Sequence, residues 1–158
     1  MNYSNYKKVN ITDVADFERA QNGKIYKGGC TLIGVSACTS SDGQLRYLET
    51  SGRVESKWAV VVPKDITDGR YLNIVITRAF PEFFNKMHQT INLPVNNIRY
   101  LAVEWHMDKA ARDDIAKQCE VFDAMIRQEC HTIEKLQKVK KFFLGKMMCT
   151  PRPSRAHR

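Results

Sequence analysis

No apolar run in this 158-residue chain approaches the roughly 20 residues that a membrane-spanning helix requires; the longest are Trp58–Pro63 and Tyr71–Thr77. The opening MNYSNYKKVN has no apolar stretch behind its lysines and does not read as a secretion signal. Cysteine is sparse and scattered. Cys30, Cys38, Cys119, Cys130 and Cys149 make an odd count without a C-x-x-C pair, which argues against a disulfide framework or zinc knuckle and for reduced thiols in the cytoplasm. P-loop, G-x-G-x-x-G and Asn-Pro-Pro-Tyr-type motifs are all missing. Acidic residues are the minority, 17 against 25 Lys and Arg, for a net charge of +8 and a pI near 9.3. That balance favours an anionic partner, most often nucleic acid. With 43% hydrophobic and 27% charged residues, the chain has the composition of one folded domain with room for an appendage.

Charge and texture divide the chain near Trp105. The first 105 residues hold 13 basic and 10 acidic residues, net +3, and the last 53 hold 12 and 7, net +5. Up to Trp105 the pattern is short and punctuated. Thr12-Asp13 is a cap for a helical turn running through Phe17 and Arg19, stopped by Gln21-Asn22-Gly23. Thr31–Val35, Gln44–Leu48 and Trp58–Val62 read as strands between turn signals. YLNIVIT, residues 71–77, fits a buried strand by β-branched content or the start of a helix by length. Pro81–Gln89 reads as a helix with proline in its first turn, Asn92–Asn97 as a loop, and Ile98–Trp105 as a final strand. The expected fold is α+β: a domain over residues 1–106 with a mixed β-sheet and short helices, a long helix over 107–149, and a basic flexible tail over 150–158.

After Asp108, a good N-cap, no glycine occurs before Gly145 and no proline before Pro151. About 40 unbroken residues make roughly 60 Å of helix. Heptad steps pass through Ile115, Cys119, Phe122, Ile126, Glu129, Ile133, Leu136, Lys140, Phe143 and Met147, so all seam positions but two are apolar. A domain of about 100 residues cannot cover such a helix, and this predicts a homodimer or a hetero-partner. The two polar positions choose an orientation. Parallel, in-register pairing stacks Glu129 on Glu129 and Lys140 on Lys140. Antiparallel pairing of Glu129 with Lys140 also sets Ile133 against Leu136, Ile126 against Phe143 and Phe122 against Met147, with a two-fold axis near Glu134 and Lys135. An antiparallel coiled coil is therefore expected; in the alternative, Cys130 and Val139 rotate into the seam and the ion pair never forms.

Candidate contacts to an anionic partner lie in the punctuated part. The segment VSACTSSDGQLR supplies Ser36, Thr39, Ser40, Ser41, Gln44 and Arg46, short polar side chains and one arginine of the kind that base-edge and phosphate contacts use; an ordinary hairpin turn explains it equally well. Lys24 and Lys27 flank Tyr26 beside Gly28-Gly29, where backbone can approach phosphate, or where a turn is simply solvated. Arg53 and Lys57 flank ETSGRVESK, and Arg78, Lys86, His88 and Gln89 surround the PEFF segment. An enzyme reading is weak. Cys30 or Cys38 beside His88 or His106 lacks a third, orienting residue, His106 reads better as an interface residue at the helix start, and Asp113-Asp114 point about 100° apart on a helix.

The order of features resembles one half of the DNA specificity subunit of type I restriction-modification systems. VNITDVADFERAQNGKIYKGG at the domain entry, NLPVNNIRYLAVEW before the helix, and IEKLQKVKKFFLGKMM at the helix end carry the resemblance, which extends up to Cys149. The helix start departs from the family, with HMDKAARDDI where a proline and a Glu-Gln before an isoleucine are usual. The resemblance implies a target recognition domain and a non-catalytic role. It also implies double-stranded DNA and methyltransferase (modification) subunits as partners, those subunits carrying the S-adenosylmethionine, with a restriction subunit joining for cleavage. One half per chain implies a homodimer reading a two-fold symmetric, gapped target. The alternatives are a regulatory protein that sequesters or competes for the modification subunit without reading DNA, and a free-standing coiled-coil transcription regulator.

Overall fold

A computed structural model describes residues 3–36, 43–87 and 92–148, and the chain divides into two compact units, Met1–Lys117 and Gln118–Arg158. The first unit begins with strand β1 (Tyr6–Asn10), a single helical turn α1 (Ile11–Val14) and strand β2 (Ala15–Arg19). The helical turn expected through Arg19 is thus confined to four residues. Asn10 donates its backbone N–H to the Asp13 carboxylate at one end (3.1 Å), and Lys64 Nζ donates to the carbonyls of Thr12 and Asp13 at the other (2.7 and 3.0 Å). The cap is therefore Asn10, two residues before Thr12, and the alternating Ala15–Arg19 is free to pair as a strand.

Next come β3 (Ile25–Tyr26), β4 (Cys30–Gly34), β5 (Leu45–Leu48), β6 (Gly52–Arg53) and β7 (Trp58–Pro63). The main sheet has the order β2-β7-β4-β5, and β3 pairs with β6 in a separate ladder. Every described ladder is antiparallel, where a mixed sheet was expected. Of the neighbours in the main sheet, only β4 and β5 are consecutive in the chain; β7 returns between β2 and β4, and antiparallel pairing of this kind needs no helical crossover. The two central strands read as continuous apolar runs because both their faces are covered. Ile33, Ala59 and Val61 meet one cluster of buried side chains, and Leu32, Trp58 and Val60 meet a second, formed with Ala20, Tyr26, Cys30 and Val54.

Helix α2 (Gly69–Met87) covers the first of those faces. It absorbs both Tyr71–Thr77 and the segment beginning at Pro81. Its buried side chains, Tyr71, Leu72, Val75, Ile76, Phe80, Phe83 and Phe84, recur at helical spacing. Pro81 stands inside this helix, not in a first turn. Proline lacks the N–H that would bond to the Thr77 carbonyl, but the burial of phenylalanines on both sides of it keeps the helix continuous. The start of α2 is packed so closely against the turn before β4 that a Cβ on Gly69 would collide with the carbonyl oxygen of Gly29, itself at φ +94°.

A 3-10 segment, Val95–Tyr100, occupies the second half of the expected loop and the head of the expected strand, so β8 is shorter, Ala102–His106. It pairs with β1 from Tyr6 opposite His106 to Asn10 opposite Ala102. The entry segment and the strand before the long helix are therefore neighbours, and Tyr71 of α2 meets Trp105 edge-on at 5.0 Å. Helix α3 (Lys109–Met148) follows, with Asp108 Oδ1 accepting the Ala110 N–H at 3.0 Å. Its first turns belong to the first unit, where Ala111 is fully buried and Ile115 and Ala116 pack against the core. In the second unit its described side chains are exposed apart from Cys119 and Asp123, which are half-buried. No helix among the described residues is long and apolar enough to cross a membrane.

Candidate nucleic-acid interface

The segment that contributes Ser36 leaves the main sheet at one end, and the strand register defines what stands there. Arg19, Ala59, Ile33 and Leu45 form a single row across all four strands, with Gly34 opposite Trp58 in the next row outward. Beyond it, Val35 donates its N–H to the Lys57 carbonyl (2.9 Å), Leu93 donates to the Val35 carbonyl (3.0 Å), and Gly34 donates to the Gln44 carbonyl (2.7 Å). Ser36, Gln44, Arg46 and Lys57 are thereby gathered at one end of the sheet. Thr39, Ser40, Ser41, His88 and Gln89 lie outside the described residues.

Arg19 joins this group, and the sequence reading missed it by ending a helix there. Its Nε donates to the Ser56 carbonyl at 2.9 Å and its Nη2 reaches Ser36 Oγ at 3.5 Å. Arg46 lies with its guanidinium 5.0 Å from the centre of the Trp58 ring, a cation–π arrangement that leaves the edge of the guanidinium open. Neither arginine has a carboxylate within ion-pair distance among the described residues. A period-two pattern across residues 15–19 was the signal that would have placed Arg19 at a strand end.

The other candidate cations are largely neutralised. Lys24 is ion-paired with Glu18, which raises its pKa. Lys57 pairs with Glu55 at 2.7 Å, and its ammonium holds that carboxyl below its usual range. Lys86 pairs with Glu82 at 2.6 Å with the same consequence. Arg78 bonds Glu104 at 3.0 Å in a groove of about 230 Å³ between α2 and β8, away from Ser36. Lys27 precedes the start of β4, at the opposite end of that strand from Ser36, and Arg53 sits opposite Ile25 in the separate ladder. Both are exposed.

Of the nucleophile and base candidates, Cys38 and His88 lie outside the described residues. Cys30 is buried, and burial pushes its thiol pKa up, away from the reactive thiolate. His106 is engaged elsewhere, with Nδ1 2.6 Å from the Tyr71 hydroxyl and Nε2 2.9 Å from the Tyr3 carbonyl. Among the described residues no group of His, Cys, Asp or Glu side chains is arranged to hold a metal ion.

In the second unit the seam residues Phe122, Ile126, Ile133, Leu136, Phe143 and Met147 are each 53–74% exposed. Glu129 and Lys140 lie on the same stripe and are also exposed. Ile115, the first of the seam positions, is half-buried against the core of the first unit instead. Val121, Met125, Val139 and Phe142 form a flanking exposed stripe.

The sheet with its covering helix, the strand that pairs back to the entry segment, and the 40-residue helix together form a recognisable arrangement. That fold is the one seen in type I restriction-modification S subunits. The S subunit from M. genitalium superposes with a TM-score of 0.69 at 15% identity, over 92% of this chain and 46% of that one. A chain from a structure of complex assembly and conformational transition of the type I R-M system gives 0.62 at 13%, over 92% and 46%. The HsdS subunit from Thermoanaerobacter tengcongensis gives 0.52 at 13%, over 87% and 41%. The chain thus spans about half the length of the solved structures it matches. No protein-family model and no curated protein sequence matches it.

Proposed function

We propose that this chain is a non-catalytic DNA-recognition subunit of the type I restriction-modification kind. The observation that carries the reading is that the likeness to S subunits runs over 92% of the chain, so it takes in the domain and the long helix together. In this reading the first unit reads double-stranded DNA from the sheet end around Ser36. The exposed seam of α3 pairs with the same seam of a second copy, antiparallel, with Glu129 facing Lys140. Two readers related by a two-fold axis address inverted half-sites, so the target is symmetric and gapped. Methyltransferase subunits holding S-adenosylmethionine dock on the paired helices and perform the chemistry, and a restriction subunit joins for cleavage.

The test mixes the full chain with a modification subunit of a type I system and a random-sequence duplex pool, then sequences the retained DNA. Enrichment of a two-fold symmetric, gapped motif is expected. A complex without sequence enrichment overturns DNA reading in favour of a protein that sequesters the modification subunit, and the failure to form any complex removes the restriction-modification role.

A further inference from the structure

The groove between α2 and β8 that holds the Arg78–Glu104 pair has two lobes. One, of about 230 Å³, has apolar walls from Ile74, Val75 and Ile115. The other, of about 180 Å³, is walled by Phe83, Met87 and Tyr100. Lys8, Ala79 and Ala102 line both, so they form the waist of one continuous groove, kept open by the two short alanine side chains. The side of β8 turned to α2 is a strand edge: the Glu104 carbonyl and the His106 N–H both reach the Tyr71 hydroxyl, at 3.3 and 3.1 Å. By the alternation of an antiparallel strand, the Ala102 N–H and C=O project from the same edge at the waist.

The lining holds three cations against two carboxylates. Arg78 pairs with Glu104 and Lys86 with Glu82. Lys8 is the exception. It is exposed and stands opposite Glu104 in the register of β1 on β8, yet Arg78 takes that carboxylate from across the groove. No carboxylate lies within ion-pair distance of Lys8 among the described residues. Its field adds to that of Lys86 in holding the Glu82 carboxyl below its usual range.

We infer that this groove docks an extended segment of a partner protein in which one carboxylate side chain lies between two apolar ones. The apolar side chains fill the lobes, and the Asp or Glu between them meets Lys8. The spacing agrees with an extended chain. Tyr71–Ala79 flanks the first lobe and Ala79–Met87 the second, which puts the lobe centres about 12 Å apart along α2. In an extended segment residues i and i+4 share a face about 13 Å apart, with residue i+2 on that face midway. Main-chain groups of the segment bond the Ala102 edge, so that backbone contacts supply affinity and the two lobes and Lys8 supply selectivity. Docking here needs no DNA contact, and it stands or falls separately from the DNA-recognition reading.

The test selects random 12-residue peptides displayed on phage against the immobilised full chain, then measures binding of the recovered peptides, synthesised with a fluorescent label, by anisotropy. The recovered sequences are expected to share an Asp or Glu with an apolar residue two positions to either side. Lys8→Glu should weaken binding of such a peptide about tenfold at low salt. The same peptide with Lys in place of its carboxylate should prefer the Lys8→Glu chain to the wild type, an exchange that damage to the fold would not produce. Ala79→Leu, which fills the waist, should abolish binding while the thermal unfolding transition stays in place. Recovery of no peptide, or of peptides indifferent to both substitutions, overturns the site. An apolar consensus without the acid overturns the charged occupant, and a consensus matching a stretch of this chain overturns the partner protein in favour of a second copy.

Discussion

Arg112 holds Asp68 through an Nε–Oδ1 hydrogen bond of 2.9 Å, with the two side chains only 12% and 6% exposed. The same guanidinium donates through Nη1 to the His106 and Met107 carbonyls (2.8 and 3.2 Å) and lies over the Trp105 ring. One arginine therefore ties the turn before α2, the end of β8 and the first turns of α3 together. Lys109, 3.8 Å from the same carboxylate, is a weaker second partner. Removing one member of a buried pair leaves the other charged and desolvated. Arg112→Met is expected to lower the unfolding free energy by about 3 kcal/mol, measured by urea denaturation of the full chain. A loss under about 1 kcal/mol, the range of surface pairs, would mean that Lys109 is sufficient.

Much of this architecture can be read from residue order, and the exceptions have physical causes. The long helix is legible because Asp108 caps it and no breaker follows before Gly145. The central strands at Thr31–Val35 and Trp58–Val62 are legible because double burial makes them apolar throughout. Helix α2 is obscured by Ile74, Val75, Ile76 and Thr77, which favour a strand locally, and by Pro81, which suggests a new start; the stripe from Tyr71 to Phe84 decides for helix once it is counted across the proline. The candidate site was only half legible. Which cations keep their charge available depends on carboxylates such as Glu18, Glu55, Glu82 and Glu104, whose proximity is set by folding, and Arg19 enters only through the register of β2 on β7.

Two glycines of opposite circumstance test the packing of the helices. At Gly69 a methyl group would run into the backbone of Gly29, which cannot yield as a flexible side chain would. At Gly145, inside α3, nothing lies within 4 Å of an added Cβ. Gly69→Ala is expected to destabilise the first unit by about 2–3 kcal/mol, and Gly145→Ala to favour the helix by about 1 kcal/mol. Thermal unfolding followed by circular dichroism separates the two, and a neutral Gly69→Ala would show that the start of α2 is looser than this contact implies.

The cysteines should sort by burial. Cys30 is 1% exposed and its thiol is shifted upward by desolvation, so at a given pH less of it is thiolate and reagent cannot reach it; Cys130 is exposed. Under native conditions near pH 8 a thiol reagent is expected to modify Cys130 rapidly and Cys30 only as fast as the domain unfolds. Mass spectrometry of the labelled peptides reads both rates. Rapid native labelling of Cys30 would place the second buried cluster, with Tyr26, Leu32 and Trp58, in a far more open state.

The orientation of the proposed helix pair is open to a charge-swap experiment. If Glu129 faces Lys140 of a second copy, Glu129→Lys sets lysine against lysine twice per dimer, once on each side of the two-fold axis. Lys140→Glu does the same with carboxylates, while the double swap restores both attractions with their signs exchanged. Exposed pairs contribute about 0.2–1 kcal/mol each. Each single variant should therefore weaken self-association several-fold in sedimentation equilibrium at low salt, and the double variant should return to the wild-type constant. Parallel, in-register pairing predicts a different pattern, because each of the two positions meets its own copy, like charge against like, in every variant and the swap has nothing to restore. Independence from both substitutions, with Phe143→Ala still disruptive, would leave an apolar seam whose orientation is set by its packing alone.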